Sequence, residues 1–111
     1  MKLAIVGSRT FNDYEMVKDA LRGLTIEEIV SGGAKGADTL AEQYAAENSI
    51  PVKVFKPEWG KYGRGAGPKR NKQIVDYADK VIAFWDGESR GTKSSIDLAT
   101  EQGKLLLVKR F

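Results

Sequence analysis

The 111-residue chain carries 18 lysines and arginines against 15 acidic residues, a net charge of +3, and has neither cysteine nor histidine. Composition alone therefore excludes disulfides, thiolate and imidazole metal sites, a cysteine nucleophile and a Ser-His-Asp triad. The length suits one domain that buries roughly two thirds of its unfolded surface, and no apolar run approaches the roughly 20 residues of a membrane span. The N-terminus lacks the charged and apolar regions of a signal peptide, so the expectation is a cytoplasmic protein with no membrane, metal or cofactor.

Leu3-Ala4-Ile5-Val6 is a continuous apolar run ending at Gly7, the pattern of a strand covered on both faces. After Ser8-Arg9-Thr10, Asn12 is expected to cap a helix. Glu15 would complete its capping box, Phe11 and Met16 stand at staple positions, and Val17, Ala20, Leu21 and Leu24 supply the inner face. A short strand over Glu28 to Val30 then runs into Ser31-Gly32-Gly33-Ala34-Lys35-Gly36-Ala37-Asp38, three glycines between a strand and an amphipathic helix. Glycine admits positive φ and close approach, and the first turn of a helix offers unpaired N–H groups and the positive end of its dipole. This is the layout of an anion cradle, although a tight turn with no ligand reads the same way. Ala37, Leu40, Ala41, Tyr44 and Ala45 share one side of the helix, Asn48, Ser49 and Pro51 end it, and Val52 to Phe55 alternates as a half-exposed edge strand does.

Lys56 to Gly67 reads as a long loop with Trp59, Tyr62 and four glycines, and long ordered loops are more often functional than not. Pro68 stands where a helix would begin; Ile74, Val75 and Ala78 give that helix an inner face, with Arg70 and Asn71 in its first turns. Between Lys53 and Lys72 there are seven basic residues against the single acid Glu58, which leaves the rest of the chain slightly acidic and suggests an anionic partner. A solvated basic loop is the alternative. Val81 to Trp85 is a second apolar strand that enters Asp86-Gly87-Glu88-Ser89-Arg90-Gly91-Thr92, the second glycine-bearing strand-to-helix loop. A helix from about Lys93 to Gln102 closes at Gly103, and Leu105 to Val108 is the last strand.

Five strands alternating with four helices predict a single Rossmann-like three-layer α/β domain, a five-stranded parallel sheet of order 3-2-1-4-5 with right-handed crossovers and helices on both faces. Strands one and four would then meet at the switch point, with every glycine loop on one edge. There the two glycine turns would hold an anion, with Ser31 and Thr92 as extra donors and Arg9 and Arg70 as forked counter-charges around which the basic residues gather. Trp85 reads either as a ring that stacks on a base or as a core residue. Gly87 to Ser94 departs from a Walker A loop, with three residues between its glycines and a Thr before the Lys, and Gly63-Arg64-Gly65-Ala66-Gly67 is not the dinucleotide fingerprint because it precedes Pro68.

Gly7-Ser8-Arg9, Ser31-Gly32-Gly33-Ala34-Lys35-Gly36-Ala37-Asp38, Gly67-Pro68-Lys69-Arg70-Asn71 and Gly91-Thr92 together resemble the small YspA-type branch of the SLOG superfamily, which joins the DNA-processing protein A Rossmann domain to the Lonely-guy phosphoribohydrolases. The resemblance implies a fold that binds nucleotides or nucleotide-derived ligands and frequent dimers. Lonely-guy enzymes use an arginine, which Arg70 matches, and a glutamate in Pro-Gly-Gly-x-Gly-Thr-x-x-Glu. Here Ser95 stands in the glutamate's place and Gly87-Glu88-Ser89-Arg90 replaces the Pro-Gly-Gly stretch. Breaking a glycosidic bond needs a carboxylate beside the sugar and a base for water, and Asp38, Asp86 and Glu88 are the candidates to substitute, although Asp38 reads equally as part of a buried structural hydrogen-bond network.

Three functions follow as expectations. The first is a binding module, sensor or sequestering protein, for a nucleoside monophosphate or ADP-ribose-like ligand held by Gly7, Ser8, Arg9, Ser31, Gly32, Gly33, Gly36, Asp38, Trp59, Arg70, Asn71, Trp85, Gly91 and Thr92. The second is an N-glycosidic hydrolase with Arg70, Asp38 and Glu88 in catalytic roles. The third is single-stranded nucleic-acid binding through the basic, aromatic segment, with Trp59 or Tyr62 stacking on bases.

Overall fold

The computed structural model describes residues 1–111. Strands β1 (Lys2–Gly7), β2 (Glu28–Ser31), β3 (Val52–Val54), β4 (Lys80–Trp85) and β5 (Leu105–Arg110) alternate with helices α1 (Tyr14–Leu21), α2 (Ala37–Glu47), the short α3 (Trp59–Tyr62), α4 (Ala66–Tyr77) and α5 (Arg90–Glu101). All strand pairs are parallel and the order is β3-β2-β1-β4-β5. No helix is long and apolar enough to cross a membrane.

The period-two geometry of β1 divides the core into two. Leu3 and Ile5 face one side, where they join Val17 and Leu21 of α1, Ala37, Ala41 and Ala45 of α2, and Phe84. Ala4 and Val6 face the other, where they meet Ile74 and Val75 of α4, Ala78 just beyond it, and Ile96 and Ala99 of α5. Small residues on α2 let it lie close to the sheet: a Cβ on Gly7 would stand 2.5 Å from that of Ala37. Because β1 pairs with β2 on one side and β4 on the other, their connections leave in opposite directions and open a crevice at their C-terminal ends.

Four local expectations are corrected. The side chain that caps α1 is Asp13, accepting the Met16 N–H at 3.1 Å, and not Asn12. The helix also stops at Leu21, with Leu24 packing from the loop beyond. Lys56 to Gly67 is only partly loop, because Trp59–Tyr62 forms a helical turn, Gly63–Gly65 a 3-10 turn, and α4 already begins at Ala66. Pro68 is thus the third helical residue, where its missing N–H is still no loss. Finally, α5 starts at Arg90, three residues early, because Ser89 caps it by accepting the Thr92 N–H.

Candidate functional site

A cleft of about 390 Å3 occupies the crevice between the ends of β1 and β4. Ser8 joins the two strands: its N–H donates to the Phe84 carbonyl at 3.0 Å and its Oγ accepts the Asp86 N–H at 3.3 Å. Only Val6, Ala34 and Ile74 among fifteen lining residues are apolar; the remainder include Arg9, Arg70, Asp38, Asp86 and the hydroxyls of Ser8, Thr10, Ser89, Thr92 and Ser95. The lining charges are balanced, two arginines against two aspartates.

The glycine loops bind negative charge, but that charge belongs to the chain. In the first loop Ala34 N–H donates to Asp38 at 3.1 Å and Gly33 N–H to Ser31 Oγ at 3.1 Å, while Ser31 Oγ donates to Glu42 at 3.2 Å. In the second, Asp86 accepts both the Glu88 and Ser89 N–H groups at 2.8 Å. These four amides are therefore satisfied within the chain and are not open to an external anion. An aspartate only two to four residues from the amide it bonds reaches it with little loss of chain entropy. Free positive charge in the cleft comes from arginine instead. Arg9 is exposed and enters no hydrogen bond or ion pair with the protein.

Arg70 ties the two loops together. Its Nη1 donates to the Gly32 carbonyl at 2.8 Å and its Nε to Asn71 Oδ1 at 2.9 Å; Asn71 Nδ2 in turn reaches the Gly91 carbonyl at 3.4 Å. Nη2 keeps no protein partner. Burial lowers the Arg70 pKa from its ordinary value, opposed by the charge of Asp38. Burial likewise raises the carboxyl of Asp38 above the usual range, opposed by the Ala34 N–H and by Arg70. Asp86 moves the other way, lowered by the N–H groups of Ser89 and Glu88.

Of the residues singled out in the sequence, Gly7, Ser8, Arg9, Asp38, Arg70, Asn71, Gly91 and Thr92 line the cleft. Ser31, Gly32, Gly33 and Gly36 stand behind it. Gly36, at φ +78°, presses on the Ser8 carbonyl, where a Cβ would come within 2.4 Å, and Gly33 faces Val54 and Lys56. Three residues lie elsewhere. Trp59 is exposed on α3. Trp85 donates from Nε1 to the Ser89 carbonyl at 3.0 Å beneath the Arg110 guanidinium, and Glu88 shares a second hollow with it. Of the seven basic residues between Lys53 and Lys72, only Arg70 reaches the cleft, so the cleft does not account for the basic segment. Thr10 and Ser89 are lining residues that sequence reasoning missed. The signal for Ser89 was present: Ser89, Thr92 and Ser95 recur every third residue, a polar stripe along the start of a helix that buries Ile96 and Ala99.

Fold and cleft together define a doubly wound α/β protein whose polar crevice opens at the topological switch point. The chain belongs to the YspA, cpYpsA-related SLOG family, whose model matches residues 1–62, from β1 through α3. It is also similar to the Gene 61 protein of Mycobacterium phage D29, at 32% identity over 116 residues that cover 92% of this chain and 90% of that protein. No solved structure matches it.

Proposed function

We propose that the cleft binds a nucleotide or nucleotide-derived ligand, a nucleoside monophosphate or an ADP-ribose-like molecule, and that the protein acts as a sensor or sequestering module. The observation that carries this reading is a polar, charge-balanced cleft at the switch point with an unpaired arginine at its rim. Arg9 supplies forked donors for a phosphate and the free Nη2 of Arg70 one more. Asp38, Asp86 and the surrounding hydroxyls supply the mixed donors and acceptors that ribose hydroxyls need. Membership of a SLOG family agrees with a nucleotide-related role.

The test is a thermal-shift series with AMP, NAD and ADP-ribose. A ligand bound only by the native state at 100 times its dissociation constant adds about 2.7 kcal/mol. A shift from at least one of them, lost in Arg9→Ala, is the expected result. No shift from any, or a shift retained in Arg9→Ala, overturns the reading; Arg9 serves better than Arg70 because it holds no part of the fold together.

A second reading, N-glycosidic hydrolysis, is favoured by one observation: Asp38 is a buried carboxyl in the cleft with a raised pKa, the property wanted in a proton donor or acceptor near neutral pH. Water would add at the anomeric carbon as the bond to the base breaks and the base leaves with a proton, while Arg70 positions the phosphate. Glu88 has no place in this scheme because it lies outside the cleft, and Ser95, which lines it, stands where the Lonely-guy motif has its glutamate. Those two facts place hydrolysis second. Free adenine released from AMP, or nicotinamide from NAD, would reverse the order.

A further inference from the structure

We propose that the exposed face formed by α3, the following 3-10 turn and the start of α4 binds single-stranded nucleic acid, at a site separate from the cleft. Two large aromatic rings lie open there, Trp59 at 55% and Tyr62 at 36% exposure. Two ammonium groups lie over Tyr62, with Lys61 Nζ 5.1 Å and Lys69 Nζ 4.7 Å from its ring centroid. Trp59 leans toward α4, its Cη2 3.6 Å from where a Cβ on Gly67 would stand. Arg64, in the 3-10 turn between them, is exposed as well.

None of the cations on this face is neutralised by an ion pair. Lys18, Arg22, Lys72 and Lys93 each sit on an acid three or four residues away. Lys61, Arg64 and Lys69 have no ion pair, and the only acid in the segment is Glu58. Unneutralised cations beside exposed rings match a flexible polyanion carrying flat bases: the ammonium groups take phosphates, while Trp59 and the Tyr62 ring that the lysines vacate stack on bases. Only unpaired bases offer a free face to stack on, so the commitment is to single strands. Neither ring nor any of the three cations lines the cleft.

The experiment is fluorescence anisotropy with a labelled oligothymidylate of about 20 nucleotides, titrated across salt. Neutralising three phosphates gives a slope of log K against log salt of about −2. Trp59→Ala and Tyr62→Ala, both surface changes checked for folding by circular dichroism, should each weaken binding at least about fivefold, from the stacking lost. Lys61→Glu with Lys69→Glu should weaken it further and flatten the slope, whereas Lys18→Glu on α1 should leave it unchanged. The proposal is overturned by no binding at about 50 mM salt, by affinity indifferent to salt or to loss of both rings, by duplex bound as tightly as single strand, or by binding to anionic phosphatidylserine vesicles without binding to the oligonucleotide.

Discussion

Asp38 sits at 7% exposure with its carboxylate on the Ala34 N–H, and burial is the largest influence on its titration. Its folded pKa lies above the unfolded value. The stability it contributes is therefore complete below the ordinary carboxylate pKa and is lost as pH rises through the raised folded value. Asp86 has the opposite sign: lowered by the Ser89 and Glu88 amides, it stabilises above the ordinary value and ceases to as pH falls through its lowered one. We expect Asp38→Asn to melt higher than the parent at about pH 7, with the gap closing near about pH 4, as measured by circular dichroism. A variant that melts lower at neutral pH would mean that Arg70 and the loop amides outweigh the burial penalty. Asp38 and Arg70 were legible as site residues because each stands in the first turns of a helix that begins at the strand ends. The bond from Arg70 to the Gly32 carbonyl was not, since it joins residues 38 apart and depends on how α4 docks.

At the scale of elements, periodicity located every strand and the four long helices, while their ends depended on tertiary packing. Asn12 and Asp13 are adjacent residues of equal capping ability. Phe11 chooses between them: it is buried at 2% exposure and stacks on Phe84 at 4.6 Å, which leaves Asp13 at the entrance to α1. Asp13→Ala should cost about 1 kcal/mol in urea unfolding, and Asn12→Ala less than about 0.5 kcal/mol. Equal costs would assign the cap to both. The same limit applies to α3. A four-residue helix has too few positions to show a period, and the glycines at 60, 63, 65 and 67 read as loop in any scheme based on propensity.

The whole molecule depends on the β1–β4 pair, which carries residues of both cores and the floor of the cleft. Phe84 is fully buried at that junction, stacked on Phe11, which also meets Phe111 at 4.9 Å. Phe84→Ala should lower stability by about 3–5 kcal/mol, a large share of the about 5–15 kcal/mol typical of a domain. The denaturant midpoint should fall with little change in m. A loss below about 1 kcal/mol would show that this side chain is not the packing centre the structure makes it.

The sequence by itself determined the class and order of the sheet and the edge on which a site could form. Strand and helix periods, right-handed crossovers and glycine loops are local or topological properties, and they leave one economical solution. Tertiary structure alone decided which residues occupy that edge. It turned Asp38 and Asp86 onto the loops' own amides, left Arg9 free, carried Trp59, Trp85 and Glu88 away from the cleft, and set Lys61, Arg64 and Lys69 on a separate face. Those outcomes depend on side-chain directions and on contacts between residues far apart in the chain, which neither composition nor spacing encodes.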